Sequence, residues 1–250
     1  MENSTDRDGI SHHGRRSGYG AVICLPGGGH SFALSSTFPY HDRLRADLTA
    51  WLSELHHPAN SIHMACIGNS ITDGCGFKAE EAYPTHLQRM LGDGYVVHNL
   101  WRGGRTALKY GDQPYWKEAQ WTYAKEIPAD IVILKFGTND SKTANRVHVG
   151  EFKADMQAMI DTLKASPSHP RIFLCTPLPT MKPSWGISNS VIEETIIPAI
   201  RNLTDENGLL VIDLHEAYKP FVGMLRSDGI HPTSEGASKM AEIILLKLQQ

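Results

Sequence analysis

Short apolar runs alternate with longer periodic segments from about residue 61 to the end of the chain. Five short runs are rich in Val, Ile and Leu and nearly continuous, which is typical of strands covered on both faces. These predicted strands are Ile62–Ile67, Tyr95–Leu100, Ile131–Phe136, Arg171–Thr176 and Leu209–Leu214. The longer segments predict helices over Glu80–Leu91, Tyr115–Glu126, Gly150–Ala165, Ser190–Asn207 and Ser234–Leu248. This alternation predicts a doubly wound α/β fold with a parallel sheet.

The periodicity also predicts where a ligand would bind. Phe152, Met156, Met159, Ile160 and Leu163 recur at the spacing of one buried helix face. Such helices cover both faces of a parallel sheet, so ligands bind outside the carboxyl ends of its strands. Residues that carry chemistry should therefore follow the strands directly.

Residues 1–60 are interpreted as an N-terminal extension. Met1–Gly20 is rich in Gly, Ser, His and Arg and is expected to be disordered. Ala21–Leu25 then predicts a strand, Pro26-Gly27-Gly28-Gly29-His30 a glycine loop, and Tyr40–Leu55 an amphipathic helix. The glycine loop resembles the oxyanion loop of α/β-hydrolases, but the chain has no G-x-S-x-G motif. It is interpreted either as the truncated end of a neighbouring hydrolase domain or as a simple turn.

The composition and net charge of the chain indicate which classes of binding partner to expect. The chain has 250 residues, a net charge of -3 and 41% hydrophobic residues, which favours a globular protein without affinity for nucleic acid or a membrane surface. Met1–Gly20 has no apolar signal core, which predicts a cytoplasmic protein, although the mature form of an exported enzyme would look the same. The four cysteines show no CxxC pairing, and Cys66 and Cys175 are expected to be buried hydrophobic residues.

Polar and glycine-rich segments follow the predicted strands. They are Gly68-Asn69-Ser70, Gly103-Gly104-Arg105-Thr106, Gly137-Thr138-Asn139-Asp140 and, near the C-terminus, Asp228-Gly229-Ile230-His231-Pro232. Ser70 alone would be typical of a helix cap. Together, however, the segments supply a serine, a histidine with a nearby carboxylate, and candidate oxyanion donors, as nucleophilic acyl transfer requires. The D-x-x-H spacing lets one turn place Asp228 against Nδ1 of His231 and leaves Nε2 for the serine.

In this order the four segments resemble the four sequence blocks of the SGNH (GDSL-like) hydrolases, and the resemblance covers about residues 61–248. It implies a domain over residues 61–250 that is a three-layer α/β/α sandwich with a five-stranded parallel sheet, as in flavodoxin-like folds. It implies that Ser70 is the nucleophile, His231 the general base and Asp228 its partner. The implied oxyanion hole consists of the N–H of Ser70, the N–H of Gly104 and the side-chain amide of Asn139. This mechanism requires neither a metal nor an organic cofactor.

The resemblance also implies a substrate class. Gly68-Asn69-Ser70-Ile71-Thr72, Tyr83-Pro84 and the segment from Gly137 to Lys142 are similar to sialate O-acetylesterase-like and carbohydrate acetylesterase-like members, including Asn69 where Asp is commoner. The resemblance implies a carboxylic ester hydrolase that acts on esters with a short acyl chain, namely acetyl. The alcohol is a hydroxyl group of a small molecule or an oligosaccharide. Two alternatives stay open. A lysophospholipase or acyl-thioesterase shares all four blocks, and a non-catalytic carbohydrate-binding descendant would show a broken triad, which this chain does not.

Three further residues are expected to contact substrate. Arg105 can bind a substrate carboxylate or form a surface salt bridge. Trp185, in the loop after the fourth strand, is suited to stacking on a sugar, and His215 stands near the carboxyl end of a strand, where ligands bind. Asp140 is interpreted as a supporting residue outside the triad, and Asp73 as a helix cap.

Overall fold

The computed structural model describes residues 60–74 and 81–250. The predicted features of residues 1–59 lie outside the described residues. The boundary between residues 60 and 61 therefore stays a prediction.

A five-stranded parallel sheet forms the centre of the described residues, in the strand order β2-β1-β3-β4-β5. The strands are β1 (Ile62–Gly68), β2 (Tyr95–Trp101), β3 (Ile131–Lys135), β4 (Arg171–Cys175) and β5 (Leu210–Ile212). Gly68 pairs with Trp101 on one side and with Lys135 on the other. The loops after β1, β2 and β3 therefore begin side by side at one edge of the sheet. The predicted doubly wound α/β fold is confirmed.

Helices connect the strands. Within the described residues they are α1 (Ser70–Asp73), α2 (Tyr83–Leu91), α3 (Ala119–Glu126), α4 (Phe152–Lys164), α5 (Ile197–Asn207), α6 (Leu214–Tyr218) and α7 (Ser234–Leu248). Shorter helical turns cover Tyr115–Lys117, Thr143–Asn145, Val149–Glu151, Asn189–Val191 and Lys219–Met224. No helix in the described part of the chain is long and apolar enough to cross a membrane.

Two of the predicted helices are interrupted. In the segment predicted as Ser190–Asn207, a π-helical stretch, Ile192–Ile196, precedes α5. Pro198, near the start of α5, has no N–H to donate, so regular α-helical bonding cannot continue through it. In the segment predicted as Tyr115–Glu126, Glu118 has extended backbone angles of φ -87° and ψ 148°, which separate the first turn from α3.

Each face of the sheet has its own hydrophobic core. Ala65 and Ile67 of β1 join the core formed with α3, α4 and α5, whereas Met64 and Cys66 join the core formed with α2 and α7. The predicted face of α4 is buried in the first of these cores. Cys66 and Cys175 are buried free thiols, as expected, and burial raises the pKa of each to about 12. These cores make the described residues a three-layer α/β/α sandwich, and the site lies at the carboxyl edge of its sheet.

Candidate active site

Ser70 is the first residue of α1, directly after the carboxyl end of β1. Asn69 is the N-cap of this helix, and its side-chain oxygen accepts the N–H of Ile71 at 3.2 Å. The amide of Asn69 thus fills the capping role without a buried negative charge behind Ser70. The prediction that Asp73 is a helix cap was wrong, because Asp73 is the last residue of α1 and the cap of α2 is Ala82.

His231 joins Ser70 to Asp228. Its Nε2 lies 2.8 Å from Oγ of Ser70, and its Nδ1 lies 2.9 Å from Oδ2 of Asp228. The other oxygen of Asp228 accepts the backbone N–H groups of Ile230 at 2.8 Å and of His231 at 2.9 Å. A single turn therefore fixes the carboxylate against the imidazole. The structure brings the three predicted triad residues together across 161 positions of sequence.

Gly229 allows this turn to form. Its φ is +70°, in the left-handed region that favours glycine. A Cβ at this position would overlap the carbonyl oxygen of Met181, whose N–H donates to the carbonyl of Gly229 at 2.8 Å. The loop after β4 is thus packed directly on the loop that carries Asp228 and His231.

The surroundings keep the histidine neutral. Burial lowers the pKa of His231 below its ordinary value, although the hydrogen bond and charge of Asp228 oppose the shift. Burial acts to raise the pKa of Asp228, but the hydrogen bonds from His231 and Ile230 outweigh it and hold that pKa below its usual value. Near neutral pH the pair is therefore a carboxylate and a neutral imidazole, and a neutral imidazole can take a proton from the serine.

The predicted oxyanion donors come from the loops after β1, β2 and β3. Nδ2 of Asn139 donates to the carbonyl of Arg105 at 3.1 Å, which places the amide beside the Arg105-Thr106 peptide, one residue after Gly104. An amide nitrogen carries two hydrogens, so the other remains for an oxyanion. Gly104 has a φ of +78°, and the preceding Gly103 faces Ser70, since a Cβ there would lie 3.8 Å from the Cβ of Ser70. The glycine loop therefore lies against the serine.

Residues 66–239 match the family model described as the GDSL-like Lipase/Acylhydrolase family. The chain belongs to this family. It is 42% identical over 244 residues to an acetylxylan esterase of Xylanibacter ruminicola, an alignment that covers 90% of this chain and 51% of the relative. The chain thus spans about half the length of that relative.

The structure of this GDSL-like family member is similar to two solved structures. One is a carbohydrate acetylesterase from Sinorhizobium meliloti, with a TM-score of 0.59, 19% identity and coverage of 76% of this chain and 99% of that chain. The other is a lipase/acylhydrolase from Enterococcus faecalis, with a TM-score of 0.61, 22% identity and coverage of 75% and 95%. The likeness shows a shared fold.

Asp140 connects two of the loops in this GDSL-like site. One carboxylate oxygen accepts the N–H groups of Ala107 at 2.7 Å and Leu108 at 3.1 Å, and the other accepts that of Gly137 at 2.9 Å. Burial raises the pKa of Asp140 to about 6, against the hydrogen bonds that the carboxylate accepts. Asp140 is a supporting residue that holds the glycine loop after β2 and the Asn139 loop after β3 in one arrangement.

Lys135 is a buried charged residue that the sequence pattern does not mark as functional, because it stands inside the apolar run of β3. Its side chain is fully buried, and Nζ has no hydrogen-bond partner among residues 60–74 and 81–250. Burial lowers the pKa of the ammonium to about 8. After burial and Arg226, the charge of Lys135 is a further influence that lowers the pKa of His231. The charge of Lys135 thus contributes to the lowered pKa of His231, although its Nζ makes no hydrogen bond to the triad.

The three predicted substrate contacts lie in different surroundings. The guanidinium of Arg105 contacts Glu118 at 2.7 Å, the carbonyl of Gly103 at 2.9 Å and Gln113 at 2.8 Å, which braces the glycine loop. His215 is buried, and its Nε2 lies 3.6 Å from a carboxylate oxygen of Glu193.

Trp185 differs from these two residues because it is exposed and adjoins the triad. Its ring centroid lies 5.6 Å from that of His231. Of the three predicted contacts, Trp185 is the one that the structure brings against a triad residue.

Proposed function

We propose that this chain is a serine esterase that hydrolyses short-chain esters of carbohydrate hydroxyls, with acetyl as the acyl group. The observation that carries the proposal is the continuous series of contacts from Ser70 through His231 to Asp228, next to donors from the β2 and β3 loops. A serine with an oriented neutral base and fixed oxyanion donors is the arrangement that acyl transfer requires. The GDSL-like family and its esterase relatives support the same reaction.

Each residue has a role that follows from its position. Oγ of Ser70 attacks the ester carbonyl while Nε2 of His231 takes the hydroxyl proton, and Asp228 stabilises the resulting imidazolium. The N–H groups of Ser70 and Gly104 and the amide of Asn139 stabilise the tetrahedral oxyanion. The intermediate collapses, and His231 gives its proton to the leaving alcohol. A water molecule then loses a proton to His231 and attacks the acyl-enzyme. The second tetrahedral intermediate collapses, the acid is released, and Oγ of Ser70 takes the proton back from His231.

The choice of acyl group and alcohol rests on two supports. The relative that is 42% identical is named an acetylxylan esterase, an enzyme for an acetylated polysaccharide. The loops after β2 and β3 also carry charged side chains, since Arg102 and Arg105 pair with Glu118 and Lys142 pairs with Asp112, so these loops present a polar surface and not a hydrocarbon one. A buried apolar channel would add about 0.8 kcal/mol per methylene group, and an acetylesterase gains nothing from such a channel.

A series of p-nitrophenyl esters from acetyl to decanoyl tests the proposal. We expect kcat/KM to be highest for acetyl and to fall as the chain lengthens, with Ser70→Ala inactive on every member. A steady rise toward decanoyl would instead indicate the lysophospholipase or thioesterase alternative. Binding of acetylated oligosaccharides without hydrolysis would indicate the non-catalytic alternative.

A further inference from the structure

Trp185 is a large aromatic residue exposed at the edge of the proposed active site. Its exposed fraction is 62%, and its ring meets the ring of His231 edge-to-face, with centroids 5.6 Å apart and planes at 63°. Single exposed apolar side chains are common on protein surfaces. What distinguishes Trp185 is that, among the described residues, it is the aromatic ring in contact with His231.

The backbone at Trp185 is held in an unfavourable conformation. Its φ is +58°, and Lys182 in the same loop has a φ of +49°. A bulky residue with positive φ is in an unfavourable conformation, and such conformations persist only where neighbouring structure imposes them. The strain therefore points to a role for the indole at this exposed position.

Three contacts impose that conformation from the loops that carry the site. The N–H of Met181 donates to the carbonyl of Gly229 at 2.8 Å, between Asp228 and His231. On the other side of Trp185, the carbonyl of Gly186 accepts the N–H of Thr143 at 2.8 Å, and the N–H of Ser188 donates to Oγ of Ser141 at 3.2 Å. The backbone on both sides of Trp185 is thus held to the histidine loop and to the loop that carries Asn139.

The side of the ester that faces Trp185 follows from the proton transfers. Nε2 of His231 must protonate the leaving oxygen, so the leaving alcohol lies next to His231, while Ser70 and the oxyanion donors hold the acyl carbon. A ring packed against His231 is therefore better placed to meet the alcohol than the acyl group. A pyranose has an apolar face of C–H groups, which matches the flat apolar face of an exposed indole.

We propose that Trp185 is a specificity-determining residue that binds the pyranose ring of the leaving alcohol, so that the site selects its substrate through the sugar. This inference rests on the proposed esterase function. The occupant is a carbohydrate ring, since Oγ1 of Thr143, which donates to the carbonyl of Gly186 next to Trp185 at 3.2 Å, can accept a hydrogen bond from a ring hydroxyl.

The test uses acetate esters that share the acyl group and differ in the alcohol. Ethyl acetate has no ring, whereas mono-O-acetylated methyl xyloside and acetylated xylo-oligosaccharides have pyranose rings. Wild type is compared with Trp185→Ala, with the conservative Trp185→Phe and with Tyr110→Ala. Tyr110 is a matched control because it is an aromatic residue with 73% exposure whose ring contacts His148.

We expect Trp185→Ala to raise KM for the acetylated sugars by roughly tenfold or more, as loss of an aromatic contact and its buried area would. Ethyl acetate has no ring for the indole to bind, so its kcat/KM should fall much less than that of the acetylated sugars, and the kcat that remains shows that the triad is intact and the variant folded. Trp185→Phe should recover most of the sugar affinity, and Tyr110→Ala should leave the kinetics on both kinds of substrate unchanged.

Three results would overturn the inference. An equal loss on ethyl acetate and on the sugars would mean that Trp185 only positions His231. Unchanged kinetics on the sugars would mean that the indole does not bind the alcohol. If wild type hydrolysed neither ethyl acetate nor acetylated sugars, the esterase function would fail and this inference with it, whereas the first two results leave the esterase function intact.

Discussion

The carboxylate of Asp140 accepts the backbone N–H of Ala107 at 2.7 Å, although the two residues follow different strands of the sheet. The same carboxylate accepts the N–H of Leu108 and, through its other oxygen, that of Gly137. The loop that contains Gly104 is therefore tied to the loop that contains Asn139. Oxyanion donors work through preorganisation, so this tie has a consequence for the reaction.

Asp140→Asn should lower kcat with little change in KM. The side-chain amide of the asparagine would point an N–H group at one of the backbone N–H groups that now donate to the carboxylate. At least one hydrogen bond is then lost, and the two loops separate. We expect a loss of about 1–3 kcal/mol in the free energy of unfolding, and a fall in kcat for p-nitrophenyl acetate. Urea denaturation and steady-state kinetics measure the two effects. A stable variant with wild-type kcat would show that Asp140 does not position the donors.

Ser70→Ala should reduce ester hydrolysis by on the order of 10⁶, because the nucleophile of a triad acts together with its base as a unit. The half-buried hydroxyl contributes little to the core, so the melting temperature should be nearly that of wild type. Acetate release and thermal denaturation of the same preparation provide the comparison. Activity within tenfold of wild type would exclude Ser70 as the nucleophile.

Asn139→Ala should lower kcat by roughly 10²–10³, as removal of one oxyanion donor does. KM should change little, because the amide stabilises the charge that develops in the transition state and not the neutral ester. The kinetics of p-nitrophenyl acetate hydrolysis separate the two parameters. If KM rose while kcat held, Asn139 would be a substrate-binding residue.

The pH dependence should report the lowered pKa of His231. Only the neutral imidazole can take the serine proton, so activity is lost as pH falls through that pKa. Because the pKa lies below the ordinary value of about 6.5, the base should stay active to lower pH than an ordinary histidine would. Asp140, with a pKa of about 6, also becomes protonated on the acid side, so the histidine is identified by a variant that changes the pKa of His231 and not that of Asp140.

Lys135→Met is that variant. Removing the buried positive charge takes away one influence that lowers the pKa of His231, so the acid limb of kcat/KM should move to higher pH. Methionine can fill the same apolar space, and replacing a buried unpaired charge is expected to leave stability unchanged or raise it. Lys125→Met, at an exposed lysine of α3, is the matched control and should leave the profile in place. An acid limb that stays fixed in Lys135→Met would show that this charge does not act on His231.

The sequence alone was sufficient for the parts of this protein that depend on local pattern. Continuous Val, Ile and Leu runs predicted the five strands to within two residues at each end, because only strands covered on both faces favour such runs. The Asp228-Gly229-Ile230-His231 spacing predicted the contact between carboxylate and imidazole, because one turn determines it. The order of the four segments after the strands also pointed to the family, because this order can be read directly from the sequence.

Contacts between separate loops were decided only by the tertiary structure. Lys135 stands in an apolar run, and its burial without a partner in the described residues follows from its position between β1 and β4 in the sheet. The role of Asp140 depends on the approach of the β2 loop, and the contact of Trp185 with His231 depends on the close packing of Met181 against Gly229. No short-range periodicity encodes these approaches, because parallel strands bring together loops that are distant in sequence.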